Sequence, residues 1–423
     1  MPSKRQLIIG CSAAGLSALE TIRSLAPDDE IRMVTREDTL PYSPAALPYL
    51  TSGRMSEDKF WIKNREYFSR MKVSLSQGKE VVQVVPEEKK VVYSGGDWEA
   101  FDNLLIGVGA EPVNLPIKGL EENSIFHFHT FWDFKRLAQR LGNTNEKNVL
   151  IYGGGLVAVE LAMSLLERGN PVAVVVRSRL LRGYFNEYVG GVIENILRDK
   201  GAEIYTGNEI TEGKKQKDKI GVTLSDGSSL LCDIFVGSVG VRPRTSMVAG
   251  TQIRTNVGIL ADRRMETTVP GIYTAGDVAE APGFFSGKQG INPILPNALR
   301  QGTIAGANMA GKTTEYEGWV SLNILNLHGN VACSIGEALP SEGGYEVLEE
   351  ESDRGKRFKR LVFKENRLHG AMFLNADVDP GAARYLIENK VDIGSYKEAL
   401  LEKTVELCSW LVSRTEKEKS KVS

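Results

Sequence analysis

Two short segments of this chain have the residue types and spacing to hold a phosphate. Gly10-Cys11-Ser12-Ala13-Ala14-Gly15 follows the apolar run Leu7-Ile8-Ile9, and Gly153-Gly154-Gly155-Leu156-Val157-Ala158 follows Val149-Leu150-Ile151-Tyr152. A small-residue turn between a strand and a helix lets backbone N–H groups come close to a pyrophosphate, whose charge the positive end of the helix favours. Gly10, Ser12, Ala13, Ala14 and Gly15 are therefore candidate dinucleotide contacts in the first turn, and Gly153, Gly155, Leu156 and Val157 in the second. Against the pattern G-x-G-x-x-G, Ser12 replaces the middle glycine of the first turn and Ala158 the last glycine of the second. A small side chain at Ser12 still permits close approach, and the last position, held by Ala158, sets helix–strand packing.

The residue closing the second strand of such a unit reads the adenosine ribose. A carboxylate there would bond a 2′-hydroxyl, as in NAD, and an arginine would accommodate the 2′-phosphate of NADP. In the second unit this position is Arg177, with Arg179 and Arg182 close behind and no acid at hand, which favours NADPH over NADH. In the first unit Thr35 and Arg36 hold the strand end, and Glu37 is the nearest carboxylate and a candidate ribose contact. Gly276-Asp277 after Ile272-Tyr273-Thr274 is a third signal: the carboxylate can accept a ribityl or ribose hydroxyl, or cap a following helix. A helix predicted from Pro296-Asn297-Ala298 to Met309 could direct its positive end at a flavin N1/C2 carbonyl.

The elements that must position these residues are written twice. Strand, turn, helix and strand occur over Leu7–Val34 and again over Val149–Val176, and each set precedes a predicted hairpin, turning at Gly95-Gly96 or Asp226-Gly227. A matched segment then follows, Asp102 to Gly109 and Pro112 in one half, Asp233 to Gly240 and Pro243 in the other. Asp to Gly is seven positions and Asp to Pro ten in both. The expected fold class is α/β, two doubly wound three-layer dinucleotide-binding domains plus a C-terminal α+β domain. The C-terminal part is β-rich from Thr313, with a hairpin turning at Lys364–Arg367 and helices expected near 381–389 and 396–412. A charged tail from Arg414 to Ser423 is expected to fray.

Composition narrows the partners. The 423 residues carry 52 Lys+Arg against 54 Asp+Glu, a net charge of −2, which argues against nucleic acid as the main partner. No run approaches the roughly 18 apolar residues of a membrane span. Lys4-Arg5 and Leu7 to Cys11 imitate a signal segment, but the apolar run is too short. The four cysteines lack CxxC spacing, which argues against a disulfide framework or zinc site and fits a reducing cytoplasm. Phe126-His127-Phe128-His129 reads as a half-buried strand rather than a metal site.

With these residues in place, almost the whole chain resembles the pyridine nucleotide–disulfide oxidoreductase superfamily. Gly10–Gly15, Gly107–Pro112, Gly153–Glu160, Gly240–Pro243, Thr274–Asp277 and Asn297–Gly302 fall in family order. Tyr42 to Tyr49 resembles the branch of NADH oxidases, coenzyme A-disulfide reductases and ferredoxin or rubredoxin reductases. The resemblance implies FAD on residues 1–113 and 243–312, NADPH or NADH on 114–242, and a C-terminal dimerisation or interface domain over 313–423. It also implies roles for Gly109 and Gly240 beside the cofactors, and places Glu160, seven positions past Gly153, near the reacting nicotinamide as the candidate catalytic residue. Two departures matter. Disulfide-reducing relatives carry a redox cysteine where this chain has Ala45, and peroxidase relatives a histidine where it has Ala13. Electrons are therefore expected to leave the flavin without a cysteine relay, toward an iron–sulfur protein or partner subunit. An NAD(P)H oxidase, a quinone reductase and a non-catalytic flavoprotein scaffold are the alternatives. The chain is expected to act as a homodimer or as a subunit of a larger complex.

Overall fold

In the computed structural model, residues 3–420 are described, apart from residues 145, 342 and 354. The chain divides into two compact units, one formed by Met1–Val113 and Val241–Trp319, the other by Asn114–Gly240 and Val320–Ser423.

The first unit is built on a five-stranded parallel sheet in the order Ile272–Thr274, Asn103–Ile106, Arg5–Ile9, Glu30–Val34, Val73–Ser76. Its central strands are near-continuous apolar runs because both faces are covered. Helix Ala13–Leu25 covers one face together with helix Leu295–Met309, where Gly302 and Gly306 let the second helix approach the backbone of Ala14 and Ala18. An antiparallel hairpin sheet, Val81–Val85, Lys90–Tyr93 and Trp98–Ala100, packs on the other face, and Val84, Val91 and Phe101 join its core.

The second unit repeats this plan. Strands Glu203–Thr206, Val172–Val176, Val149–Tyr152 and Ile234–Gly237 form a parallel sheet, and Ile210–Gln216, Lys219–Leu224 and Ser229–Cys232 form its antiparallel companion. Both expected hairpin turns are present: Gly96 N donates to Tyr93 O at 2.9 Å, and Gly227 N to Leu224 O at 3.0 Å. The same unit contains an antiparallel five-stranded sheet of residues 322–374, against which helix Pro380–Glu388 packs. Its hairpin turns at Glu365-Asn366, both with positive φ, as a two-residue turn between right-twisted strands requires.

Three expectations are corrected. The helix expected over 396–412 is two, Lys397–Glu402 and Thr404–Lys419, broken at the non-helical Lys403. The tail does not fray at Arg414. The helix runs to Lys419 because Arg414 pairs with Glu418 at 2.9 Å and Lys419 Nζ donates to Asn389 Oδ1 at 2.6 Å; residues 421–423 lie outside the described residues. Phe126–His129 is not a strand but makes one parallel bridge, Phe126 to Val236, before the Thr130 cap starts a helix at Phe131. No helix of the described residues is long and apolar enough to cross a membrane.

Candidate dinucleotide sites

The two glycine turns are shaped by the same close approach. Gly10 has φ +110°, and a Cβ there would stand 2.1 Å from the Gly107 carbonyl oxygen. Gly153 has φ +141°, and its Cβ would stand 2.0 Å from the Ser238 carbonyl oxygen. Gly107 and Ser238 each lie five positions past the paired Asp102 and Asp233, so the sequence repeat is also a repeat of contacts. Only glycine satisfies both the backbone angle and the space. At Gly155, by contrast, nothing lies within 4 Å of an added Cβ, which leaves open room at the middle position of the pattern.

The two helices these turns lead into, and the helix Leu295–Met309, begin without a side-chain cap. Ser12 is the N-cap of Ala13–Leu25, Gly155 of Leu156–Glu167 and Ile294 of Leu295–Met309, and none accepts a bond from the first turn. Four other helices are closed, with Asn64, Thr130, Asn186 and Asp379 accepting backbone N–H groups at their starts. Those beginning at Leu47, Lys397 and Thr404 also lack a side-chain cap but follow no glycine turn out of a parallel strand. Uncapped first-turn amides next to a glycine turn are donors waiting for an anion. Ala13, Ala14, Leu156 and Val157 would contribute through these amides, with the Ala13 and Ala14 side chains buried in the core and Val157 exposed. The donors at both turns, and the open room at the second, fit a pyrophosphate.

Around the first turn, Glu37 accepts a hydrogen bond from the Tyr42 hydroxyl at 2.7 Å. Its carboxylate is close enough to Cys11 to help burial, the larger cause, push that thiol up to about 12. The candidate ribose carboxylate is thus held beside the first glycine turn by Tyr42, a residue that no motif or spacing singles out for this task. Gly276, with φ +82°, donates its N–H to the Gln301 side chain at 2.8 Å, and Asp277 is half-buried in the turn that follows strand Ile272–Thr274. The next element is the strand Ala279–Pro282, so Asp277 does not cap a helix. Asn297 and Ala298 are buried, which leaves only the backbone of this helix start to a ligand, with Pro296 in its first turn. The buried side-chain nitrogen of neighbouring Asn292 has no partner among the described residues, an orphan donor that fits a polar ligand at this end. Gly109 and Gly240, both with positive φ, stand at the chain corners before the paired strands Ala110–Pro112 and Val241–Pro243.

In the second unit Arg177 is exposed at the end of Val172–Val176, with Nε 4.0 Å from the Glu209 carboxylate. Arg179, expected at the same end, is taken up by its own loop: its guanidinium donates to the carbonyls of Leu180, Phe185 and Asn186. Those bonds fix the loop and occupy guanidinium N–H groups of Arg179. Glu160 lies on helix Leu156–Glu167 with no side-chain hydrogen bond or ion pair among the described residues, and burial pushes its carboxyl from 4.5 up to about 7. His127 carries a buried Nδ1 without a partner, and no group of three or more His, Cys, Asp or Glu among the described residues could hold a metal.

Two doubly wound units, each with a phosphate turn and an uncapped helix, define a protein of two dinucleotides. Residues 4–302 match the pyridine nucleotide-disulphide oxidoreductase family. The chain is 30% identical over 414 residues, 97% of its length and 98% of the relative's, to the NADH-dependent phenylglyoxylate dehydrogenase subunit epsilon of Aromatoleum evansii. It is 26% identical to the NADH-rubredoxin oxidoreductase of Clostridium acetobutylicum, covering 90% of this chain and 93% of that one. Its fold matches the crystal structure of a covalent putidaredoxin reductase–putidaredoxin complex with a TM-score of 0.88 at 18% identity, over 98% of this chain and 100% of that chain. The chain belongs to the pyridine nucleotide-disulphide oxidoreductase family. It is an enzyme of FAD and a nicotinamide nucleotide.

Proposed function

We propose that this enzyme is an FAD-dependent NAD(P)H:acceptor oxidoreductase that exchanges electrons with an iron–sulfur carrier or a partner subunit. The carrying observation is Ala45, exposed on the short turn Pro44–Ala46 at the position where disulfide-reducing relatives hold a cysteine. The chain's own four thiols cannot substitute: burial pushes Cys11, Cys232, Cys333 and Cys408 each up to about 12, so all remain unreactive thiols near neutrality. FAD, when bound, supplies the coupling between a two-electron hydride donor and one-electron acceptors. The turn amides would hold both pyrophosphates, Glu37 and Asp277 would bond ribose or ribityl hydroxyls, and the uncapped start of Leu295–Met309 would face negative charge. Glu160 can hold or release a proton at its carboxyl oxygen near neutral pH. The full-length likeness to a dehydrogenase subunit supports a role as homodimer or complex subunit, and the four free cysteines support a cytoplasmic location. FAD would occupy 1–113 and 243–312 and the nicotinamide nucleotide 114–242, with 313–423 serving as an interface.

Stopped-flow mixing of the flavin-loaded chain with NADH and NADPH, followed by ferredoxin, rubredoxin, a quinone and dioxygen, tests this. Rapid bleaching and rapid reoxidation by an iron–sulfur protein are expected. Fast turnover with dioxygen or quinone alone would overturn the acceptor class, and sluggish bleaching by both nucleotides would point to a scaffold.

The ribose 2′ position is read by a pair in this proposal: Arg177 takes a 2′-phosphate, and neighbouring Glu209 takes a 2′-hydroxyl. Arg177→Ala is expected to raise the KM for NADPH about tenfold or more, the loss of roughly one charge-assisted hydrogen bond. The KM for NADH should change little. Steady-state kinetics with both nucleotides measure this, and equal effects on the two would remove Arg177 from the site.

A further inference from the structure

Tyr316 lies beyond the family match, in the strap that follows helix Leu295–Met309, and is fully buried. Its backbone is clamped at Arg263: its N–H donates to the Arg263 carbonyl at 2.6 Å, and its carbonyl accepts from Arg263 Nη1 at 3.1 Å. Its hydroxyl donates to Asn297 Oδ1 at 2.5 Å. That bond decides which way the Asn297 amide faces. With Oδ1 occupied, Nδ2 points to the Asn292 carbonyl and donates to it at 3.0 Å; the same carbonyl accepts from Ile294 N at 2.9 Å. The loop Asn292–Ile294 is thereby pinned against the uncapped start of the helix, and the Asn292 side-chain nitrogen is left buried and unpartnered. One turn on, Gln301 holds Gly276 N from the same face of the helix.

We propose that Tyr316 is a positioning residue for the flavin, acting through Asn297 to fix the donors at the start of helix Leu295–Met309. This rests on the FAD reading of the first unit. Removing the hydroxyl frees the Asn297 amide to turn over, and with it the loop carrying the Asn292 donor. Donors aimed at the flavin's N1/C2 edge stabilise the charge gained on reduction, so loosening them favours the oxidised form.

Tyr316→Phe is the test, read by FAD content, visible spectrum, midpoint potential and thermal midpoint. The variant should still bind FAD and show an altered flavin band. Its reduction equilibrium should move about tenfold toward oxidised flavin, roughly 30 mV for a two-electron couple. Asn297→Ala should give the same shift, and the double variant no further one, since both act along one path. An unchanged band and potential with only a lower thermal midpoint would make Tyr316 a packing residue and overturn the inference, as would additive shifts. If the parent chain itself takes up no flavin, the FAD reading fails and the inference falls with it; a parent with a normal flavin and an unmoved variant defeats the inference alone.

Discussion

Gly153→Ala is expected to give a chain that keeps its flavin but that NADH and NADPH reduce at least about 30-fold more slowly. The methyl group would sit 2.0 Å from the Ser238 carbonyl oxygen at φ +141°. The turn must move, and with it the first-turn amides of helix Leu156–Glu167. Strain of this kind costs about 1–3 kcal/mol, and about 2 kcal/mol lost from nucleotide binding corresponds to the 30-fold change. Gly155→Ala separates space from strain. Nothing protein-borne lies within 4 Å of the added carbon, so thermal stability should hold while nucleotide binding weakens, as expected if the pyrophosphate takes that room. Stopped-flow rates and melting midpoints of the two variants check the pair. A Gly153→Ala chain reduced at the parent rate would show that the turn does not hold the nucleotide.

The second large effect belongs to Glu160 and depends on pH. Its carboxyl is raised from 4.5 to about 7 by burial, so the folded state favours the protonated form. Below pH 4.5 the group is neutral in both states and has no effect on stability. As pH rises through 4.5 the unfolded chain ionises first, and stability is lost progressively until the folded carboxyl has also ionised above about pH 7. Glu160→Gln removes the titration. It should match the parent near pH 4 and exceed it by roughly 3 kcal/mol at pH 8–9, the size of such a shift. Urea unfolding midpoints across that range measure the difference, and a gap independent of pH would refute the burial argument. The variant should also lose any step near pH 7 in the rate of flavin reduction by NAD(P)H, with a drop of roughly tenfold or more if the carboxyl moves a proton.

Much of the architecture is legible in the sequence because the chain states its plan twice. Gly10 and Gly153 can be matched from their spacing to the flanking apolar runs, since local order alone sets a strand–turn–helix and its helix dipole. The partners of those turns are not legible in the same way. Tyr42 reaches Glu37 across a loop, and Tyr316 reaches Asn297 across a helix, through contacts with no sequence period. Asn297 and Gln301 do carry a signal, two amides one helical turn apart on an otherwise small and apolar face. Arg179 misleads because composition counts charges without showing which carbonyls consume them. The tail misleads for a related reason: a run of charges reads as solvated chain, yet spaced four apart the charges pair and extend a helix.

The order of strands in the first sheet has a consequence for how the chain is made. Strand Asn103–Ile106 is flanked on one side by Arg5–Ile9, synthesised early, and on the other by Ile272–Thr274. At ribosomal rates of about 5–20 residues per second, the second neighbour arrives on the order of ten to thirty seconds later. Throughout that interval an apolar strand offers an open row of N–H and C=O groups to any other nascent chain. The helix proposed to complete the flavin end, Leu295–Met309, emerges later still. On the proposed placement of FAD in this unit, capture of the cofactor would come late in the birth of this protein, after a long interval with a half-built sheet.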